Sequence, residues 1–227
     1  VMPNEHAYAV SALWAGHTHV VEHFHTTPRI AFVSPEAGSG KTHAMNLLGM
    51  LSANTIATVN ASPAAIFRGL EKEMLTLAVD EIDTIFSNKG KNDNNEELRG
   101  LINAGYKQGN TVLRCVGQDH DAVKFPTFCP VGLAGLGDLP ETIRSRAIII
   151  HMKRRTPGEF IEEYRPRRHD AEAASIRERL GALLEPIGKA IGGAEPELPP
   201  GIINRDREVW EPLIAIADAA GGHWPER

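Results

Sequence analysis

The sequence contains little cysteine and no long apolar run. Its 227 residues include two cysteines, Cys115 and Cys129, which argues against a disulfide framework and predicts a reducing, cytoplasmic location. No apolar stretch approaches the roughly 18 residues of a membrane-spanning helix, so we expect no membrane partner. The first residues also lack the basic start and apolar core of a signal peptide. A net charge of −5 does not indicate nucleic-acid binding, but an oligomer can concentrate positive charge on one face.

Apolar runs alternate with helical patterns over the first two thirds of the chain. Five runs predict buried strands: residues 28–34, 55–59, 75–79, 130–137 and 147–152. Residues 111–117 and 122–125 predict a hairpin, and both cysteines fall on strand-like runs that we expect to be buried. Beyond residue 156 the patterns are helical only, with an expected kink at Pro186 and a blurred helix start at Pro212. We predict an N-terminal helical segment (1–27), a parallel α/β core (28–155) and a helical lid (156–227).

A glycine-rich loop, "SPEAGSGKTH", joins the first predicted strand to a predicted helix. Small residues allow backbone N–H groups to face anionic oxygens, while Lys41 reaches the β and γ phosphates and Thr42 binds Mg²⁺. Pro35 occupies the first position, where a glycine is expected; it removes one donor but keeps a turn-compatible φ. The alternative is a glycine-rich turn before an ordinary helix. We predict an ATP site formed by Pro35, Glu36, Ala37, Gly38, Ser39, Gly40, Lys41, Thr42 and His43.

Two acidic residues follow the strand "LTLAV". Asp80 can hold Mg²⁺, and Glu81 can polarise the attacking water. Acidic residues often end strands, so the pair by itself is a weak signal. It becomes informative because it follows a phosphate loop, with one strand and one helix between the two motifs. We expect Asp83 to cap the next helix rather than to bind metal.

Together, these motifs resemble the AAA+ ATPases. Proteins of that class have a parallel sheet of order 5-1-4-3-2, with helices on both faces and a small helical lid. The segments "HTTPRIAFVSPEAGSGKT", "NEELRGLINAGY", "TVLRCVG", "LPETIRSRAIIIHMKRR" and "REVWEPLIAIADAAGGHWPER" look like a poorly characterised ATPase family of phages and integrated mobile elements. The resemblance implies an Mg²⁺-dependent ATP hydrolase that forms a homo-oligomer, expected to be a hexamer. It also implies replication-related work on DNA.

The same resemblance implies arginines that complete catalysis. One arginine of such rings reaches the neighbouring subunit's γ-phosphate from the helix before the last strand. Arg144 and Arg146 lie there, and the dipeptide Ser145-Arg146 directly before the last strand favours Arg146, by resemblance. A second arginine comes from the lid, where Arg205 and Arg207 are the candidates. The fourth strand usually ends in a polar residue that positions water, but here it reads "GLAGLGD", so that role is absent or moved.

The predicted hairpin bears on what the ATPase acts on. Minichromosome-maintenance and viral replicative helicases, which the chain resembles here, carry a hairpin at this place that points into the pore. Protein unfoldases instead use an aromatic loop after the second strand, where this chain has only "NAS" (60–62). We therefore favour a DNA helicase, translocase or helicase loader. The alternatives are an ATP-dependent switch that recruits replication proteins with little turnover, and a protein-remodelling ATPase.

Several charged residues leave alternatives open. The hairpin tip, Asp119 to Asp121, is not basic and is flanked only by Arg114 and Lys124, so the hairpin is either a DNA contact or a packing element. The basic runs 153–155 and 165–168 either contact phosphates or are solvated linker charges. Four histidines within nine residues, at positions 17, 19, 23 and 25, include a spacing used for zinc, but a local polar cluster is the favoured interpretation.

Overall fold

A five-stranded parallel sheet forms the centre of the protein. The computed structural model describes residues 2–57, 62–86, 93–116 and 121–225. The strands are β1 (Arg29–Ser34), β2 (Thr55–Ala57), β3 (Thr76–Val79), β4 (Thr111–Val116), β5 (Asp121–Pro126), β6 (Val131–Leu136) and β7 (Ala147–His151). The sheet has the order β2-β3-β6-β1-β7, and β4 and β5 form a separate antiparallel hairpin. Counting sheet strands alone, this is the predicted order 5-1-4-3-2.

Nine helices in the described part of the chain surround the sheet. They are α1 (Glu5–Val20), α2 (Lys41–Leu51), α3 (Pro63–Lys72), α4 (Ile82–Phe86), α5 (Asp93–Ala104), α6 (Glu141–Arg144), α7 (Pro166–Leu184), α8 (Gly188–Gly192) and α9 (Asn204–Ala220). Side chains cap two of the helix starts: Asn4 accepts from the amide of Ala7 (2.9 Å), and Ser62 from that of Ala65 (3.3 Å). Pro63 follows Ser62 at the first helical position, where a missing N–H costs nothing.

Apolar side chains of β1 alternate between the two faces of the sheet. Ile30 and Phe32 pack with apolar residues of α1, α2 and α9. Ala31 and Val33 pack with the other cluster, which includes residues of α3 to α6 and Phe125 of the hairpin. Every residue of β1 is buried, as expected for a parallel strand covered on both faces. The predicted α/β fold with helices on both faces of a parallel sheet is therefore confirmed.

The C-terminal helices share the apolar core of the sheet. Val209 and Leu213 of α9 belong to the same cluster as Ile30 and Phe32 of β1, and α7 packs against α1 and α2. The core thus continues across the boundary predicted near residue 155, and the separate lid domain stays a prediction. None of the helices in the described part of the chain is long and apolar enough to cross a membrane.

Two prolines of the C-terminal segment, Pro186 and Pro212, act differently from expectation. Pro186 does not kink a continuous helix, because α7 ends at Leu184 and a 3₁₀ turn, Glu185–Ile187, follows it. Pro212 lies inside α9, which begins at Asn204. Proline has no N–H to donate to the carbonyl four residues earlier, that of Glu208. The Thr26 hydroxyl donates to that carbonyl instead (2.9 Å), so a distant residue satisfies the acceptor.

The two cysteines have different environments. Cys129 is fully buried as predicted, and burial raises the pKa of its thiol to about 11. The prediction for Cys115 is wrong, because this residue is exposed on β4. Residues 111, 113 and 115 share the solvent side of the hairpin, while Val112 and Arg114 face the protein. An apolar run therefore does not imply burial on both faces when the strand belongs to a two-stranded hairpin.

Candidate phosphate site

The glycine-rich loop lies between the carboxyl end of β1 and the first turn of α2. Gly38 (φ 75°) and Gly40 (φ 86°) both adopt the left-handed conformation, which glycine reaches without steric cost. Such glycine-rich turns direct successive backbone N–H groups towards one point and bind anions. Because α2 begins at Lys41, its positive dipole end faces the same loop.

Lys41 is hydrogen-bonded through its side chain to two residues of the loop. Its side chain is buried, and its ammonium group donates to the Glu36 carbonyl (2.8 Å) and the Ser39 hydroxyl (3.1 Å). The Ser34 hydroxyl accepts from the Glu36 amide (3.2 Å), which anchors the loop just after Pro35. Thr42, one residue after the lysine, is exposed in the first turn of α2. The lysine, hydroxyl and glycine positions that a phosphate site needs are therefore brought together.

Asp80 and Glu81 follow β3 at the same edge of the sheet. One strand, β6, separates β3 from β1, so the acidic pair is offset from the loop by two strand spacings, about 10 Å. Asp80 accepts a hydrogen bond from the Glu81 amide (2.8 Å). Glu81 has a left-handed φ of 54°, which is uncommon for a residue with a side chain and typical of functional sites. The Thr84 amide and hydroxyl both donate to its carbonyl (2.9 and 2.8 Å).

Asp83 does not have the partner predicted for a helix cap. It lies in the first turn of α4, and its carboxylate accepts from the Leu136 amide at the end of β6 (3.1 Å). The contact joins elements 53 residues apart, so the local sequence gave no sign of it.

Arg154 is the residue near the loop that sequence reasoning did not single out. It follows β7, the neighbour of β1, and its Nε donates to the Ala37 carbonyl (2.7 Å). The same nitrogen lies 3.2 Å from the Glu36 carboxylate, and both side chains are largely exposed. A Cβ atom built on Gly38 would lie 3.9 Å from it. At least one residue of the basic run 153–155 is thus not a purely solvated charge.

The arginines predicted to act on a neighbouring subunit lie at the opposite edge of the sheet. The Arg146 carbonyl accepts from the amide of Arg29, the first residue of β1 (2.9 Å). Arg29 is roughly 17 Å from Ser34, the residue at which β1 meets the phosphate loop. The Arg146 side chain is half-buried, hydrogen-bonds Asn103 and the Thr142 carbonyl, and lies over the Tyr106 ring (5.5 Å). Arg144, at the last position of α6, is exposed.

Arg205 and Arg207, in the first turn of α9, also lie away from the phosphate loop. Arg205 is within 3.4 Å of the Ser145 hydroxyl, beside Arg146, and Arg207 pairs with Glu211 four residues later (2.6 Å). The next residue, Glu208, accepts a hydrogen bond from the Tyr106 hydroxyl, whose pKa is raised by burial and then by this hydrogen bond. Neither of these arginine contacts is with the phosphate loop, and the catalytic roles of Arg205 and Arg207 stay predictions.

Three of the four N-terminal histidines, at positions 17, 19 and 23, have side chains with separate partners. His17 is fully buried with Nε2 3.0 Å from the Thr27 hydroxyl, and burial, helped by nearby Arg29, lowers its pKa to about 3. His19 lies 3.0 Å from the Leu51 carbonyl, and His23 lies 3.7 Å from Glu22. Among residues 2–57, 62–86, 93–116 and 121–225, no three His, Cys, Asp or Glu side chains are grouped to hold a metal ion.

The hairpin packs against α3 and α5, in part through Arg114 and Phe125. Arg114 pairs with Glu97 and lies over the Phe67 ring (5.1 Å), and Phe125 contacts the same ring (6.3 Å). Lys124 and Asp121 are exposed. Residues 119 and 120 at the predicted tip, and residues 60 and 61 of the short "NAS" stretch, lie outside the described residues.

Comparison with known proteins finds a family and a curated relative, each similar to about a third of the chain. A family described as "Protein of unknown function (DUF3631)" matches residues 151–227, which include Arg154 and follow the phosphate loop and the acidic pair. The chain is also similar to an "Uncharacterized 28.9 kDa protein in xis 5'region" of Saccharopolyspora erythraea, with 41% identity over 76 residues. That similarity covers 34% of this chain and 28% of the relative's length.

Proposed function

We propose that the protein is an Mg²⁺-dependent ATPase of the AAA+ type. The observation that supports this most directly is the phosphate loop, which has Gly38 and Gly40 in left-handed conformations and the Lys41 ammonium held against it. Asp80 and Glu81 lie at the same edge of the sheet, and the strand order agrees with that class. An ordinary helix-capping turn would require neither the buried lysine nor the acidic pair.

The residues present fit ATP and Mg²⁺ chemically. Glycines provide room for close backbone approach, Lys41 has three donors, and the Thr42 hydroxyl and Asp80 carboxylate are the oxygen ligands that Mg²⁺ prefers. Bound Mg²⁺ would neutralise charge on the transferring phosphoryl group. In the proposed mechanism Lys41 would bind the β and γ phosphates, and Thr42 and Asp80 would hold the metal. Glu81 orients the attacking water and accepts a proton from it.

Catalysis in this proposal needs a second subunit. The exposed α6 arginine lies about one strand length from the chain's own loop, too far to reach its own γ-phosphate. An arginine placed there by a neighbour in a homo-oligomeric ring can stabilise charge in the transition state. Because Arg146 is held by contacts within its own chain and Arg144 is exposed, we assign the trans role to Arg144. We keep the hexamer as the expected ring, by resemblance.

We propose further that the ATPase acts on DNA in a mobile genetic element, as a helicase, translocase or helicase loader. The printed name of the Saccharopolyspora relative places that protein beside xis, which supports a mobile-element context for the present chain. The hairpin β4–β5 stands outside the main sheet, where resembling helicases contact DNA. Replication proteins are the expected partners.

A second candidate function is a nucleotide-dependent binding switch with slow turnover. The end of β6 favours it, because Gly135, Leu136 and Gly137 provide no polar side chain to position water there. Such a protein would bind ATP, change its partner affinity and hydrolyse ATP slowly whether or not DNA is present.

The two functions are separated by the ATPase rate measured with and without single-stranded DNA. A DNA motor gives a rate that DNA raises severalfold and that Lys41→Ala abolishes. A switch gives tight ATP binding with a low rate that DNA leaves unchanged. Failure of the wild-type protein to bind ATP would refute both.

A further inference from the structure

Two cations meet at Glu36 in the phosphate loop. Lys41 donates to the Glu36 carbonyl (2.8 Å), and Arg154 lies beside the Glu36 carboxylate (3.2 Å). The lysine of such loops reaches the β and γ phosphates, so the arginine beside the same residue would lie near the γ end of a bound nucleotide. An acidic side chain here would repel a polyphosphate unless a cation compensates it.

The backbone holds Arg154 in place while its side chain remains free to reorient. The Met152 amide donates to the Val33 carbonyl (2.8 Å), which continues the pairing of β1 with the end of β7 to within two residues of Arg154. The Arg154 side chain is 60% exposed, and the Glu36 side chain 59%. Ion pairs this exposed contribute little net stability, so a stronger anion can displace the carboxylate.

We propose that Arg154 exchanges the Glu36 carboxylate for the terminal phosphate of a bound nucleoside triphosphate. The inference rests on the proposed function, since it requires nucleotide in the loop. Arg154 would then distinguish ATP from ADP, because only ATP presents a γ-phosphate at that end. A guanidinium suits this task, as its planar fork binds phosphate oxygens through two parallel hydrogen bonds. Unlike Arg144, it acts on the nucleotide of its own chain.

The test measures the affinity of the full chain for fluorescent ATP and ADP analogues, in a Glu81→Gln background that keeps ATP intact. Arg154→Ala should weaken ATP binding about tenfold or more and ADP binding less than about threefold. Arg155→Ala is the matched control: it removes the same charge from the next, exposed residue and should change neither affinity. Unchanged ATP affinity in Arg154→Ala would overturn the proposal.

A double variant separates direct phosphate contact from simple neutralisation of Glu36. If Arg154 only compensates the acid, Glu36→Gln combined with Arg154→Ala binds ATP as tightly as Glu36→Gln alone, and the proposal is wrong. If Arg154 contacts phosphate, the double variant binds ATP about tenfold more weakly than Glu36→Gln alone and loses its preference for ATP over ADP. Circular dichroism confirms that the variants fold. Absence of Lys41-dependent binding in the parent protein would instead refute the ATPase assignment itself.

Discussion

The Asp83 carboxylate accepts a hydrogen bond from the Leu136 amide at 3.1 Å, which fixes the turn after β3 to the end of β6. The adjacent packing is equally close: a Cβ atom on Gly135 would lie 2.4 Å from Cγ1 of Ile82 and 3.0 Å from the Asp83 carboxylate. Glu81 therefore lies between β3 and α4, and both of these elements pack against β6. Its left-handed backbone conformation persists because its neighbours determine it.

The first prediction concerns the general base. Glu81→Gln should bind ATP with nearly unchanged affinity and lose turnover by about 10²-fold or more, because an amide keeps the shape but accepts no proton. Equilibrium binding and steady-state phosphate release measure the two effects. Glu71→Gln, at an exposed position of α3, is the control. Wild-type turnover in Glu81→Gln would show that another group activates water.

The second prediction compares two glycines. Gly135→Ala should lower the free energy of unfolding by about 1–3 kcal/mol, because its Cβ would also lie 2.9 Å from the Ile82 backbone nitrogen. Gly100 lies inside α5 with nothing within 4 Å of its Cβ position, so Gly100→Ala should raise stability by about 0.5–1 kcal/mol. Urea denaturation measures both changes. Equal effects in the two variants would contradict the close packing of β6 on α4.

The third prediction concerns catalysis between subunits. Arg144→Ala should bind ATP normally and hydrolyse it about 10³-fold to 10⁵-fold more slowly. Mixing Arg144→Ala with Lys41→Ala protein should restore part of the rate, because some interfaces then combine an intact loop with an intact arginine. Arg146→Ala should instead lower thermal stability, since it removes contacts with Asn103 and Tyr106.

Absence of rescue in proteins that co-assemble would exclude Arg144 as the trans residue. Rescue by mixing Lys41→Ala with a folded Arg146→Ala protein would return the role to Arg146. Sedimentation in the presence of an ATP analogue establishes co-assembly, and a monomer with full activity would refute the ring.

The fourth prediction is a pH dependence of stability caused by His17. Its pKa is about 3 in the folded protein and 6.5 in the unfolded chain, because burial disfavours the charged form. The unfolded chain therefore binds the extra proton first, and stability falls as pH decreases below 6.5 towards 3. We expect a loss of about 2–3 kcal/mol between pH 7.5 and 4.5 from this group.

Urea unfolding at several pH values measures that slope. His17→Gln should flatten it whatever its absolute stability, and His151→Gln, at an exposed position, should not. An unchanged slope in His17→Gln would show that other groups cause the acid sensitivity.

The sheet and the loop could be predicted because their signals are local. β1 is a short apolar run that leads into the glycine-rich loop, and Asp80 directly follows the apolar strand β3. Arg154 could not be predicted as a loop contact, because only the pairing of β7 with β1 brings it to Ala37, 117 residues away. The roles of Asp83 and Pro212 likewise depend on distant partners, Leu136 and Thr26. Local pattern thus locates the candidate phosphate site but does not show what surrounds it.

The bond between the Thr26 hydroxyl and the Glu208 carbonyl spans 182 residues. Trp14 of α1 and Leu213 of α9 are also buried in one apolar cluster. At ribosomal rates of about 5–20 residues per second, α1 must wait roughly 10–40 s before the last segment that covers it has been made. During synthesis part of the apolar side of α1 is therefore open to other hydrophobic surfaces, and chaperone binding to nascent chains should cease only after α9 emerges.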